Sequence, residues 1–179
     1  MVETPPTAAN MRLDGGHPAL DLVNTLYGQV GKPPEHDVLQ TREDLMTFAT
    51  RVGVATPTAS TAALEAARRL RTACEHAFRG QDHDALETAV KRAYRAGHLQ
   101  AGGWRWPDGD PMSAVHRLAH QAALLLADTE ALGRLRGCGD CCWLYLDRSK
   151  NRSRKWCSME DCGTNAKKRR YVEKRRALS

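Results

Sequence analysis

No uninterrupted apolar run in this 179-residue chain is longer than six residues, as at 122–127. About 20 are needed to cross a bilayer, so a membrane span is excluded. The opening stretch, "MVETPPTAANMRLDGG", has neither a basic n-region nor an apolar h-region. That absence predicts no secretory signal and a cytoplasmic location. No nucleophile elbow, phosphate loop or paired-carboxylate signature occurs, and the chain does not read as an enzyme. No repeat of fixed period is found either. Cysteine is scarce up to residue 137, where Cys74 stands alone, and then five fall between Cys138 and Cys162. In a reducing compartment such a cluster points to metal or chemistry rather than to disulfides.

Composition is otherwise that of a globular protein, with 41% apolar and 27% charged residues. The length suits one ordinary domain, or a small domain plus a very small one. The net charge of +6 is unevenly spread. Residues 148–179 carry twelve Lys/Arg against three Asp/Glu, which leaves the rest of the chain at −3. A mildly acidic body with a strongly basic end suggests a polyanion partner for that end.

The body reads as helical. Residues 1–12, rich in Pro, Thr and Ala, are expected to be a flexible N-terminus. Pro18 suits a first helical position, and Leu20, Val23, Leu26 and Tyr27 repeat at helical spacing. Thr41 and Asp44 fit a capping box opening a second helix over Leu45, Phe48, Ala49 and Val52. Long helices follow at about 60–78, 84–95 and from 113 onward, with a short one in "TEALGRLRG". Between them "AGHLQAGGWRWPDGDP" is expected to hold a short hairpin. The fold class is therefore mainly α: a bundle-like N-terminal domain over 13–136 with five to six helices, and a small module over 137–179.

In that module Cys138 and Cys141 are spaced C-x2-C, and Cys157 and Cys162 C-x4-C, with fifteen residues between the pairs. Two close pairs can each clamp one edge of the tetrahedron that Zn²⁺ prefers. Cys142 is the odd thiol; it could replace Cys141 in the ligand set, or serve as a redox sensor beside it. "WLYLD" and "RKWC" read as two strands joined by "RSKNRS", a hairpin that would return Cys157 to Cys141. Ser158 with Asp161 fits a capping box at a following helix. Knuckle, hairpin and helix together make a treble-clef-like zinc finger.

The last helix carries Lys167, Lys168, Arg169, Arg170, Lys174, Arg175 and Arg176. Its apolar residues, Tyr171 and Val172, are expected to pack near Trp143 or Trp156. Arg148, Lys150, Arg152, Arg154 and Lys155 extend the basic patch. Like charges at i, i+4 repel, so this helix makes best sense against phosphates. Duplex DNA is the favoured partner. Unpaired RNA bases stacking on Trp143, Tyr145 or Trp156, or an acidic protein surface, are the alternatives.

The stretch "WLYLDRSKNRSRKWCSMEDCGTNAKKRRY" resembles the CGNR-type zinc finger family, found at the C-terminus of bacterial proteins regarded as transcriptional regulators. "GGHPALDLVNTL", "GWRWP" and "LAHQAALLLAD" resemble the helical ABATE domain usually joined to it. The resemblance implies four zinc cysteines at Cys138, Cys141, Cys157 and Cys162. The family's Asn-Arg is Thr164-Asn165 here, which removes one cation from the start of the helix.

Regulation implies that the body binds an effector or a second subunit. His17, Asp21 and Asn24 lie near one helical face, with Trp104 and Trp106 as candidate walls of an effector pocket. The other reading has these residues bonding loop backbone and filling the core. His116 and His120, at i, i+4, lack a third metal ligand. Cys74 reads as a small core residue.

Overall fold

A computed structural model describes residues 5–176. The body contains α1 (Pro18–Val23), α2 (Arg42–Arg51), α3 (Thr61–Phe78), α4 (Asp84–Ala96), α5 (Ser113–Ala127) and α6 (Thr129–Gly133). Short antiparallel pairs interrupt them: β1 (Leu26–Tyr27) with β2 (His36–Asp37), and β3 (His98–Gln100) with β4 (Gly103–Arg105). The C-terminal module holds β5 (Leu135–Gly137), β6 (Leu144–Leu146), one π-helical turn at Met159–Gly163, and α7 (Thr164–Arg176). No helix among the described residues is long and apolar enough to cross a membrane.

The caps follow from the sequence. Thr41 Oγ1 accepts from the Asp44 N–H at 3.1 Å while Asp44 Oδ2 accepts from the Thr41 N–H at 2.8 Å, a complete capping box for α2. Ser60 caps α3 by accepting from the Ala63 N–H. α3 buries Ala63, Ala67, Leu70, Cys74 and Ala77, and α5 buries Ala114, Leu118, Ala122 and Leu125. These stripes close on α1, which lies almost wholly inside the core.

The helical spacing that continues to Tyr27 stops in the structure at Val23. Thr25 Oγ1 donates to the Leu22 carbonyl at 2.7 Å, and the chain turns into β1. Residues 1–4 lie outside the described range, but 5–12 are not the loose tail that their composition suggests. Ala8 and Met11 are each 1% exposed, and the Arg51 guanidinium donates to both their carbonyls at 2.8 and 2.7 Å. Two apolar contacts and a charge-assisted clasp outweigh the low propensity of the segment.

The hairpin in the C-terminal module differs from the expected one. β6 pairs with β5, Leu135 opposite Leu146, and not with residues 154–157. The first cysteine knuckle therefore forms the hairpin tip, with the Cys138 N–H donating to the Trp143 carbonyl at 2.9 Å. Residues 147–156 form a loop held by Asp147, whose carboxylate accepts from the N–H groups of Ser149 and Arg154, both at 2.9 Å. Those bonds satisfy the backbone locally, and no strand is needed.

Alternation over residues 143–146, of which the last three are β6, decides how body and module join. Trp143 and Tyr145 face a small cluster with Cys138, Cys157 and Cys162, whereas Leu144 and Leu146 belong to the body's core. One strand is thus shared by two cores.

Candidate metal centre and nucleic-acid interface

The Sγ atoms of Cys138, Cys141, Cys157 and Cys162 all lie within 4.8 Å of one another. Cys157 Sγ is 3.6 Å from both Cys141 Sγ and Cys162 Sγ. A zinc ion about 2.3 Å from four tetrahedral sulfurs would set them about 3.8 Å apart, so the donor set fits. All six cysteines are free thiols. The Cys157 N–H points at Cys138 Sγ at 3.4 Å, a donor suited to a thiolate. When bound, zinc supplies structural cross-linking and holds the four sulfurs as thiolates. The chain's own residues shape the cage.

Cys142 is not part of it. Its thiol donates to the Leu26 carbonyl at 3.3 Å, and burial with the neighbouring Cys141 charge pushes it up to about 11. The clustered set takes Cys141 and leaves Cys142 outside, so the ligand swap falls away. Cys74, 0% exposed, is the core residue expected of it.

Two glycines make room for Trp156, the packing wall of the cage. A Cβ at Gly139 would come within 2.9 Å of Trp156 Cζ3 and 3.3 Å of the Lys155 carbonyl. At Gly163 it would meet Met159 Sδ at 3.1 Å and Trp156 Cδ1 at 3.2 Å. Ser158 Oγ accepts from the Asp161 N–H at 3.3 Å. The reciprocal half of the capping box is replaced, because the Asp161 carboxylate pairs with Arg12 of the body.

Body and module are stitched by more than this pair. Asn24, 0% exposed, donates to the Leu144 carbonyl at 2.8 Å and accepts from its N–H at 2.9 Å. The side chain thereby takes the place of a neighbouring strand. The Cys142 N–H donates to the Gly28 carbonyl, the Val30 N–H to the Asp140 carbonyl, and Arg79 to the Cys142 carbonyl. Tyr27 packs edge-on against Trp143, whose Nε1 donates to Leu26.

Two family models match the chain. The ABATE model, described as "Putative stress-induced transcription regulator", matches residues 16–129, well over half of the sequence. The chain belongs to the ABATE family. A CGNR zinc finger model matches residues 134–175 and contains all four clustered cysteines. The protein therefore pairs an ABATE body with a CGNR finger, and zinc is its cofactor. Neither family is of enzymatic type. No curated protein matches the chain.

The basic residues of the CGNR finger divide into two groups. Arg154 donates to the Trp156 carbonyl at 2.8 Å and to that of Cys157, and its guanidinium lies over the Tyr145 ring. Arg169 is paired with Asp140 of the first knuckle, and Arg148 donates to the Gly16 carbonyl at 2.8 Å. These three hold the fold together. Lys150, Arg152, Lys155, Lys167, Lys168, Arg170, Lys174 and Arg176 are exposed, without an ion-pair partner among the described residues. Arg175 is also exposed, and its guanidinium lies 5.9 Å from the Tyr171 ring centroid.

Tyr171 and Val172 do not pack on the hairpin; they are 63% and 45% exposed. Ala166 is the buried contact of α7, and Tyr171 lies on the opposite side of the helix. Of the expected stacking aromatics, Trp143 and Tyr145 are buried in the cage wall and Trp156 is half-buried.

The candidate effector residues of the ABATE body do not come together. His17 caps α1, its Nδ1 accepting from the Ala19 N–H at 3.2 Å. Asp21 accepts from the Gly15 N–H at 2.9 Å, and burial pushes its carboxyl up to about 6. Trp104 instead stacks on Tyr94 at 4.5 Å, and Trp106 Nε1 donates to the Ala93 carbonyl at 2.7 Å. His116 and His120 do not share a metal: His120 Nδ1 is 3.0 Å from the Tyr94 hydroxyl, while His116 faces Asp110.

Proposed function

We propose that the protein is a transcriptional regulator that binds duplex DNA through its zinc finger and basic helix, with the ABATE body sensing an effector or dimerising. The observation that carries this reading is the division of the cations. Those with partners build the cage; those without sit on α7 and the 147–156 loop, on a zinc-anchored scaffold that holds them still. Fixed cations facing solvent cost self-repulsion, and counterion release on a polyphosphate offsets it. Burial of Trp143 and Tyr145 removes two of the three expected stacking rings; Trp156 is half-buried, and the open ring of Tyr171 is the one a competing single strand would stack on. A single finger covers little surface, so tight binding calls for a second copy or a second contact region.

Fluorescence anisotropy of labelled duplex DNA across a salt series tests this, with zinc-loaded and chelator-stripped protein compared. Binding that needs zinc and weakens by several decades as salt rises is expected. Absence of binding in both forms, or single-stranded RNA outcompeting the duplex, would overturn it.

A further inference from the structure

The sequence points to one effector pocket in the body, and the structure dissolves it. Another cavity, of about 380 Å³, lies between α3, α4 and α5. That volume is within the range of small-molecule sites. Its floor is made of buried residues: Leu70 and Val115 with Ala66 and Ala73 of α3. Across from these, α4 presents Ala85 and Ala89. Facing alanines ordinarily let two helices close on each other. Here the space between them stays open, walled by apolar side chains.

The polar groups are few and placed at two depths. His116 lines the cavity and is 6% exposed. Its Nδ1 is buried without a hydrogen bond; the nearest carboxylate oxygen, Asp110 Oδ2, is 3.4 Å away. A buried polar atom left without a bond costs about 1–3 kcal/mol. Burial keeps this imidazole below its ordinary value, against the pull of Asp110 and aided by Arg92. The charged form is thus disfavoured, and Nδ1 is turned toward Asp110. At the rim stand Arg69 and Arg92, both exposed, with no hydrogen-bond or ion-pair partner among the described residues. Asp84 shares the rim. Two guanidinium groups against one carboxylate leave one unit of positive charge, which matches a single negative charge on a ligand.

We infer that this cavity binds a small apolar monocarboxylate. The carboxylate would sit at the rim between Arg69 and Arg92, and the apolar body would lie on the alanine-lined floor beside His116. The regulator reading gives such binding a purpose, but the binding itself does not depend on DNA.

The test uses the zinc-loaded full chain and no nucleic acid, so its outcome is separable from that of the DNA experiment. Phenylacetate and its neutral amide, phenylacetamide, are titrated by calorimetry and by thermal shift. Phenylacetate is expected to raise the melting temperature with concentration, while the amide binds at least about tenfold more weakly. Arg69→Gln with Arg92→Gln is expected to remove that preference without lowering the unliganded melting temperature, since neither side chain holds the fold. Ala89→Phe is expected to fill the cavity and abolish binding. Equal affinity for acid and amide, binding that survives Ala89→Phe, or no thermal shift at millimolar phenylacetate would each overturn the assignment. The double arginine variant keeps the test decisive if Ala89→Phe fails to fold.

Discussion

Replacing Asn24 by Ala isolates the bond between body and finger. Asn24 is fully buried and serves both the N–H and the carbonyl of Leu144, at 2.9 and 2.8 Å. Truncation leaves two buried backbone groups unpaired, each costing about 1–3 kcal/mol. A small hole is added at the junction of the two cores. The expected loss is about 2–5 kcal/mol. At roughly 2–4 °C per kcal/mol for a chain of this size, the melting temperature should fall by about 4–20 °C. Asn24→Asp is nearly isosteric but loses the donor and buries a charge, so it should be at least as damaging. Scanning calorimetry of the zinc-loaded protein gives the first number. Zinc release to a chromogenic chelator gives the second readout, and it should be faster because β6 carries Tyr145 of the cage and follows directly on Trp143. A variant within about 2 °C of the wild type, with unchanged zinc release, would refute this reasoning and return Asn24 to the effector residues.

Four further outcomes follow from particular residues. Asp21 is held up near 6 by burial, with the Gly15 N–H opposing and Asp14 adding to the rise. The folded state then binds this proton more tightly than the unfolded state, so the group destabilises above pH 6 and the cost fades as pH falls toward 4. Asp21→Asn should therefore stabilise by about 1–3 kcal/mol at pH 7 and by little at pH 4, as measured by urea melts at both values; a constant difference would contradict the sign. Lys167→Gln with Lys168→Gln should lower the salt slope of DNA binding by about 2, whereas Arg154→Gln should loosen the finger, as read by zinc affinity, because the carbonyls of Trp156 and Cys157 lose their donor. Gly139→Ala should cost the finger about 1–3 kcal/mol, since its Cβ meets the Trp156 ring at 2.9 Å; unchanged chelator resistance would show that the ring can give way.

Much of this molecule is legible in its sequence because the signals are local. The capping box at Thr41 and Asp44, the span of α3, the hairpin around Gly102 and Gly103, and each of the two close cysteine pairs depend on residues near each other in the chain. Spacing of thiols is a covalent constraint on where a tetrahedron can close, and it survives any tertiary detail. What the sequence could not decide is which partner a group would choose. The partner of β6, the double role of Asn24, the pairing of Arg169 with Asp140, and the packing of residues 5–12 each require segments far apart in the chain. Cys142 reads as an alternative ligand to Cys141 until the fold turns it to the Leu26 carbonyl and leaves it outside the cluster. The cavity under Arg69 and Arg92 has no sequence signature, since alanines on two helices read equally well as close packing. Composition and spacing determined a helical body and a zinc finger; only the tertiary structure decided which charges bind the fold and which face outward, because burial and desolvation are set by neighbours in space.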